Sequence, residues 1–292
     1  MNSPNITFTS CLYRLKNRHG VWLHLKWFRN FIRIVNNFYL VIYTSENDYN
    51  VIINEIQELH EDIQQNIKVI VKPFSEFHNY KYERFWIDNN NNPNCVSLYN
   101  VSDWRLNMLW CEKVHFVKHT ITHNYFDTEY HGWCDIGYFR DTTNLDEMRN
   151  KWPNKDKISR LHKDRVYYGC NISDKHLHFG YNYHIKHFHP LNLDEKTGIP
   201  RNVYLHNAHI ISGGFYITGR EKALWWCEHF QEILEKYIKN NIVVQNEQHI
   251  ISHCVFINER GKNHRNPNFC IIKSVTETDQ EKLWFMFREM LL

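Results

Sequence analysis

Two kinds of segment alternate through the first 74 residues, and that alternation constrains the fold more than any other feature. "NITFTSCLY" (5–13), "FYLVIYTS" (38–45) and "IKVIVKPF" (67–74) are short, apolar and rich in β-branched or aromatic residues, and Pro73 closes the third. Between them lie "VWLHLKWFRNFIRIVNN" (21–37), apolar at helical spacing, and "NDYNVIINEIQELHEDI" (47–63), amphipathic and opened by an Asn or Asp cap. The first, which alternates, and the third read as strands, the compact second run reads as a buried strand, and the intervening segments read as helices. The β-α-β-α-β order predicts a parallel sheet with helices on its faces.

The remainder extends the pattern. "NNNNPNC" (89–95) reads as a polar loop, and "SDWRLNMLWCEKVHFVKHTI" (102–121) as a long helix with an apolar stripe at 106, 109, 110, 114 and 117. "HGWCDIGYFRD" (131–141) reads as a buried strand ending on one carboxylate, Asp135, with Gly137 two residues later. Residues 141–209 read as loops and short elements on one rim of the sheet. "AHIISGGFYITG" (208–219) is a strand interrupted by Gly213 and Gly214, and "REKALWWCEHFQEILEKYIKNN" (220–241) is a helix with Trp225 and Trp226 in the core. "QNEQHIISHCVF" (245–256) starts another helix, and "DQEKLWFMFREMLL" (279–292) forms a final amphipathic one. No internal repeat or clean linker is present, so a single α/β domain over 1–292 is expected.

Charge and cysteine usage narrow the function. With 35 basic and 32 acidic residues the chain is too balanced to argue for a nucleic-acid partner. No run of about 18 apolar residues predicts a membrane span, and no basic-then-apolar leader opens "MNSPNITFTS". Eight cysteines without a CxxC pair suggest reduced thiols and a cytoplasmic setting, which makes the sequons at Asn5, Asn100 and Asn171 incidental. Abundant Asn, Ile, Lys, Tyr and Phe beside scarce Gly and Pro is what AT-rich coding produces, as in an AT-rich bacterium or a large DNA virus.

Ligands of open parallel sheets bind beyond the carboxyl ends of the strands. There the sequence brings Thr9, Ser10, Cys11 and Leu12, then Tyr43, Thr44 and Ser45, and then Asp135. Neither a dinucleotide fingerprint nor a P-loop occurs. A hard divalent cation held by carboxylate oxygen would neutralise a diphosphate at such a rim, and Asp135 is placed for that work. The bland alternative is a turn former or cap.

Several segments carry a resemblance. "HGWCDIGYFRD" is similar to the WxDxG stretch of the HtrL/YibB-like family, within the GT-A nucleotide-diphospho-sugar glycosyltransferases. "CEKVHFVKHTI" (111–121), "ISGGFYITGREKALWWCEHF" (211–230) and "NEQHIISHCVF" (246–256) resemble, in order, that family's Lys-containing helix, glycine-containing strand with its Trp/Cys-rich helix, and acidic-Gln helix start. The resemblance implies a GT-A-like, mixed and mainly parallel sheet flanked by helices. It implies a nucleotide-sugar-binding half over about 1–140 and an acceptor and catalytic half over about 141–292. The activity implied is transfer of a sugar, UDP-linked in our reading, to a glycan or glycoprotein acceptor, with Mn²⁺ or Mg²⁺. Asp135 stands where a DxD-type motif belongs, but the stretch reads Asp-Ile-Gly and lacks the second acid. Asp141, His253 or His264 are the candidates to complete a metal site.

Glu247, with Gln248, is the candidate general base toward an acceptor hydroxyl; capping or helix-dipole pairing is the bland role. In a retaining reaction the same residue would stabilise positive charge on the sugar. Gly213 and Gly214 either let the chain pass close to a ligand or mark a β-bulge. Arg105 and Lys113, eight apart on one helix, share a face and are candidates to contact the diphosphate, and Arg140 to assist the leaving phosphate. Two rival readings stand beside this one. The first is a binding protein of the same fold without catalysis. The second is a metal-dependent hydrolase built on "HLHFGYNYHIKHFH", with His176, His178, His184, His187 and His189. In that run, Tyr181 and Tyr183 are candidates to stack on a sugar.

Overall fold

The computed structural model describes residues 3–16, 20–95, 98–99, 101–140, 144–171, 192–201, 210–257, 266–274 and 279–292. Among them seven strands form one sheet: β1 (Ile6–Leu12), β2 (Tyr39–Thr44), β3 (Ile67–Val71), β4 (Tyr130–Cys134), β5 (Val166–Cys170), β6 (Ile211–Gly219) and β7 (Phe269–Ile272). Their order is β3-β2-β1-β4-β6-β5-β7. β1 pairs in parallel with β2 and β4, β2 with β3, and β5 with β7, whereas β6 runs antiparallel to both of its neighbours. The protein is therefore an α/β fold with a mixed, mostly parallel seven-stranded sheet flanked by helices.

Those helices are α1 (Val21–Arg33), α2 (Glu46–Gln57), α3 (Glu61–Gln64), α4 (Glu83–Asn90), α5 (Arg105–Thr122), α6 (Leu145–Lys151), α7 (Lys155–Ser159), α8 (Arg220–Lys239), α9 (Glu247–Phe256), α10 (Gln280–Trp284) and α11 (Phe287–Met290). No described helix is long and apolar enough to cross a membrane. The pleat sends alternate side chains to opposite faces of the sheet. On one face Tyr43, Trp133, Tyr216 and Trp226 pack with α5, α8 and α9. On the other Phe8, Phe31, Phe38, Trp152 and Phe215 pack with α1 and the C-terminal segment. Truncating a fully buried tryptophan such as Trp133 or Trp226 to alanine would cost about 3–5 kcal/mol.

Several expected elements are revised. Residues 141–209 are not all irregular, because β5 crosses the sheet there with all five residues buried. A strand covered on both faces shows no polar alternation, and "VYYGC" is too short to stand out beside its charged flank. β7 was missed for the same brevity. Asn89 and Asn90, read as loop, complete α4. The 47–63 helix divides into α2 and α3, and His60 caps the second, its Nδ1 accepting from Asp62 N–H at 3.4 Å. The C-terminal helix also divides, which turns Leu283, Phe285 and Phe287, spaced two apart, into the core together. Trp226 is core as expected, while Trp225 is only half-buried, with Lys222 Nζ 3.4 Å from its ring centre.

Candidate functional site

The sheet grows from β1 in both directions, to β2 on one side and β4 on the other, and a crevice opens where the order reverses. Because β6 is reversed, its first residues lie at the same edge as the ends of β1 and β4. Cys134 pairs with Phe215, and one step farther Asp135 N–H donates to Gly214 O at 2.8 Å. Here lies a cavity of about 350 Å³ lined by Trp27, Trp110, Trp133, Trp284 and Phe285, with Asp135 and Glu247 among its polar groups. A second cavity of about 600 Å³ opens beyond the ends of β1, β2 and β3, lined by Arg14, Asp48, Phe74 and Arg105 among others. Tyr13 borders both.

Lys113 is the centre of the smaller cavity's polar floor. It projects from α5, a helix buried around most of its circumference. Its ammonium donates to Glu247 Oε1 at 2.8 Å, to Gly213 O at 3.1 Å and to Asp135 Oδ2 at 3.3 Å, with Asp135 Oδ1 3.1 Å away. An ammonium has three N–H donors and no acceptor, so these oxygens satisfy it completely. Burial alone would push the Lys113 pKa down, but the Asp135 and Glu247 carboxylates outweigh it and hold the group above the ordinary lysine value. The other Asp135 oxygen, Oδ1, accepts from Trp133 Nε1 at 2.5 Å. The Lys113 and Glu247 side chains are each only 9% exposed, whereas Asp135 is 39% exposed and so presents its carboxylate to the cavity.

Neither carboxylate acts as a side-chain cap, although Glu247 does stand in the first turn of α9, where helix-dipole pairing applies. Asp135 precedes a 3₁₀ turn (Ile136–Phe139), but its side chain caps nothing there; only its backbone carbonyl accepts from Tyr138 N–H, at 2.8 Å. The cap of α9 is Asn246, whose Oδ1 accepts from His249 N–H at 3.2 Å, and this leaves Glu247 to face Lys113. The glycines make room for both acids. A Cβ at Gly213 would stand 2.6 Å from Glu247 Oε1, and one at Gly214 would stand 3.1 Å from Asp135 Oδ2. The bulge reading holds as well, since Tyr168 pairs with Tyr216 but Cys170 with Ile211, so 212–215 lie out of register with β5.

Of the residues expected from sequence, Cys11, Leu12, Lys113, Asp135, Gly137, Arg140, Gly214, Glu247 and Gln248 line this cavity, with Gly213 beneath it. Burial pushes the Cys11 thiol up. Gly137 admits the Trp27 ring, which would stand 3.1 Å from a Cβ there, and the Arg140 guanidinium lies 4.5 Å from the centre of that ring. Gln248 Nε2 donates to Ile211 O at 2.6 Å.

Others fall elsewhere. Thr9 faces α5 and donates to Thr120 Oγ1 at 3.1 Å, and Ser10 is fully buried. Tyr43 OH reaches Thr120 and His119 Nδ1, and Thr44 Oγ1 donates to Leu12 O at 2.8 Å. Ser45 and Arg105 line the larger cavity, where Ser45 bonds Asp48 and Arg105 pairs with Asp103 at 2.9 Å. His253 is not beside Asp135; it is fully buried in α9 with Nδ1 2.9 Å from Tyr237 OH. His264, Asp141 and the run 176–189 lie outside the described residues. Sequence reasoning missed Tyr13, Arg14, Asp48 and Phe74, which stand just past the strand ends, and the indoles of Trp27, Trp110 and Trp284.

Among the described residues, no three His, Cys, Asp or Glu side chains converge to hold a metal ion. A hard cation can be held by one carboxylate and completed by phosphate oxygens. Here, however, the oxygens offered by Asp135, Glu247 and Gly213 already surround the Lys113 ammonium. The donor set does not fit a resident divalent ion in this arrangement. In comparisons with known proteins the chain matches no protein-family model, and no curated protein matches it.

Proposed function

We propose that the protein transfers a sugar from a nucleoside-diphosphate donor, UDP-linked in our reading, to a glycan or glycoprotein hydroxyl. The observation that carries this reading is the pairing of two adjoining cavities at the sheet's switch point, one bearing arginines and aromatic rings, the other two carboxylates and indoles. In this reading the nucleoside occupies the larger cavity, against Tyr13 and Phe74. The sugar occupies the smaller one, where carboxylates accept from hydroxyls and indole faces cover C–H surface. A mixed sheet with one reversed strand is also compatible with the GT-A-like fold that the sequence resemblance implies.

In the transfer, the acceptor oxygen bonds to the anomeric carbon. The bond from that carbon to the diphosphate oxygen breaks, and the nucleoside diphosphate leaves with its electron pair. The acceptor proton passes to a carboxylate, for which Glu247 is our candidate. Asp135 orients the sugar hydroxyls, and Arg140, on the cavity wall, meets charge developing on the leaving phosphate. The smaller cavity balances two acids, Asp135 and Glu247, with two bases, Lys113 and Arg140, so it does not repel the donor through excess negative charge.

A thermal-shift screen of nucleotide sugars tests the reading, because a ligand that binds only the native state raises apparent stability. The expected result is stabilisation by one UDP-sugar, followed by release of UDP when an acceptor is supplied. Tight donor binding without turnover would favour the second reading, a binding protein of the same fold, for which the missing second acid of Asp-Ile-Gly speaks.

A further inference from the structure

We infer that Lys113 is a built-in substitute for a divalent cation: the chain folds an oxygen nest of the kind that holds a metal and fills it with its own ammonium. Three acceptor oxygens from three separate elements take the hydrogen bonds of Lys113 Nζ: Glu247 Oε1 from the start of α9, Asp135 Oδ2 just past the end of β4, and Gly213 O from β6. Two are carboxylate oxygens and one is a backbone carbonyl, the donor types that hard cations take. The nest is assembled deliberately in the sense that each piece costs something elsewhere. Gly213 and Gly214 forgo side chains in a fully buried strand, and two carboxylates are held beside each other in partly or largely buried positions.

Two acids so placed repel unless a cation stands between them. Lys113 supplies that cation permanently, because its charge does not depend on metal supply or on pH in the neutral range. It also couples two elements that the proposed reaction needs in register, the strand end that carries Asp135 and the helix start that carries Glu247. With all three N–H donors committed, Lys113 is a positioning residue and not a contact to the substrate. The consequence is that the site works without added metal.

The prediction about metal stands on geometry alone, while its extension to donor affinity rests on the nucleotide-sugar reading. The experiment separates them. Mn²⁺ and Ca²⁺, without nucleotide, are titrated by thermal shift and calorimetry into the wild type, Lys113→Ala and Lys113→Met, with EDTA as the reference. The wild type should show no stoichiometric binding. Lys113→Ala empties the nest but keeps its three oxygens, so it should lose stability in EDTA and regain several degrees with either ion. Lys113→Met fills the space with an apolar chain and should lose stability without rescue by metal. Should Lys113→Ala not fold in EDTA, recovery of folded protein when Ca²⁺ is present during refolding is the supporting outcome. Failure of both ions to stabilise Lys113→Ala overturns the inference. So does stoichiometric Mn²⁺ uptake by the wild type that Asp135→Asn abolishes. In a separate arm, the wild type should bind UDP equally well in EDTA and in Mn²⁺, and a strict Mn²⁺ requirement also overturns the inference. If no nucleotide binds under any condition, the nucleotide-sugar reading fails while the metal titrations still decide the role of Lys113.

Discussion

Gly213→Ala probes the site with one methyl group. The backbone at Gly213 is not in the left-handed region, so alanine fits the chain, and only space is at issue. The new Cβ would stand 2.6 Å from Glu247 Oε1 and 2.9 Å from Gln248 Cγ. Ordinary contact begins near 3.4 Å, so Glu247 must retreat by about 0.8 Å. Its 2.8 Å bond to Lys113 can open by as much as that, to about 3.6 Å, beyond hydrogen-bond range. The Gln248 bond to Ile211 O, at 2.6 Å, is strained by the same push. A lost charge-assisted bond costs about 1.5–3 kcal/mol and a weakened neutral one about 1 kcal/mol, while alanine returns about 0.4–1 kcal/mol by restricting the unfolded chain.

The net loss is about 1.5–3.5 kcal/mol, or a fall in Tm of roughly 2–6 °C for a chain of this size. Urea unfolding at neutral pH measures it. Gly20→Ala, where nothing lies within 4 Å of the added Cβ, is the control and should change stability by less than about 1 kcal/mol. The same substitution in a Glu247→Ala background should cost at least about 1 kcal/mol less, because the clashing carboxylate is gone. Equal costs in both backgrounds would refute the claim that this glycine exists to admit Glu247.

Other outcomes follow from the same geometry. Glu247→Gln keeps the shape beside Lys113 and should slow transfer by about 10²–10⁴-fold in steady-state assays with an identified acceptor, with little change in donor affinity; normal turnover would make Glu247 purely structural. Asp135→Asn should lower stability, since Lys113 loses one of its two charge partners, yet leave the far-UV spectrum and cooperative unfolding intact, since the side chain caps no turn, while weakening the sugar-dependent part of donor affinity in calorimetry. Burial lowers the pKa of His115 to about 3 and of His131 to about 4, against an ordinary value of 6.5, so the unfolded chain binds more protons than the folded one below pH 6.5. Their stabilisation is complete above pH 6.5 and falls with acidification by up to about 1.4 kcal/mol per pH unit each. Burial of Glu112 raises it to about 7 and works in the opposite sense, with stability falling as pH rises from 4.5 towards 7; Glu112→Gln should therefore steepen the acid limb of a stability-against-pH curve. Cys11, Cys95, Cys111, Cys134, Cys227 and Cys254 are free thiols whose pKa burial raises, so iodoacetamide at neutral pH should label them only slowly until the protein is denatured.

The sheet was legible where local pattern and tertiary role coincide. β1, β2 and β3 are apolar runs closed by turns or Pro73, and crossover geometry leaves few other ways to arrange them. β5 and β7 were illegible because a five-residue strand covered on both faces, or a four-residue edge strand, carries too little periodicity. The site divides along the same line. Asp135, Gly137, Gly214 and Glu247 were found because each breaks a local pattern: a carboxylate at a strand end, glycines inside apolar stretches, an acid at a helix start. Thr9, Ser10, Tyr43 and Thr44 share those strands, but the pleat buries them, Thr9 and Tyr43 against α5 and Ser10 and Thr44 on the opposite face, and strand assignment without register cannot foresee that. Arg14 follows β1, Asp48 lies in the first turn of α2 and Phe74 opens a 3₁₀ helix after β3, so their meeting depends on how segments far apart in sequence pack.

Lys113 shows most clearly what a sequence withholds. Read on its own helix, it is one basic residue among several, and its spacing from Arg105 suggests a shared outward face. In the structure the two part: Arg105 turns to Asp103 and Phe74 at the larger cavity, and Lys113 enters the smaller one. The difference comes from partners 22, 100 and 134 residues away, Asp135, Gly213 and Glu247. A lysine alone in that position would be expelled or would lose its proton, and two acids alone would repel or share one. Each group is tolerable there only because the others are present. Removing one partner from such a buried arrangement is correspondingly severe, on the order of 3–5 kcal/mol when it strands a charge. The lysine, the two acids and the paired glycines thus form one unit, and its parts acquire a role only when the fold brings them within 3 Å or so of a single nitrogen.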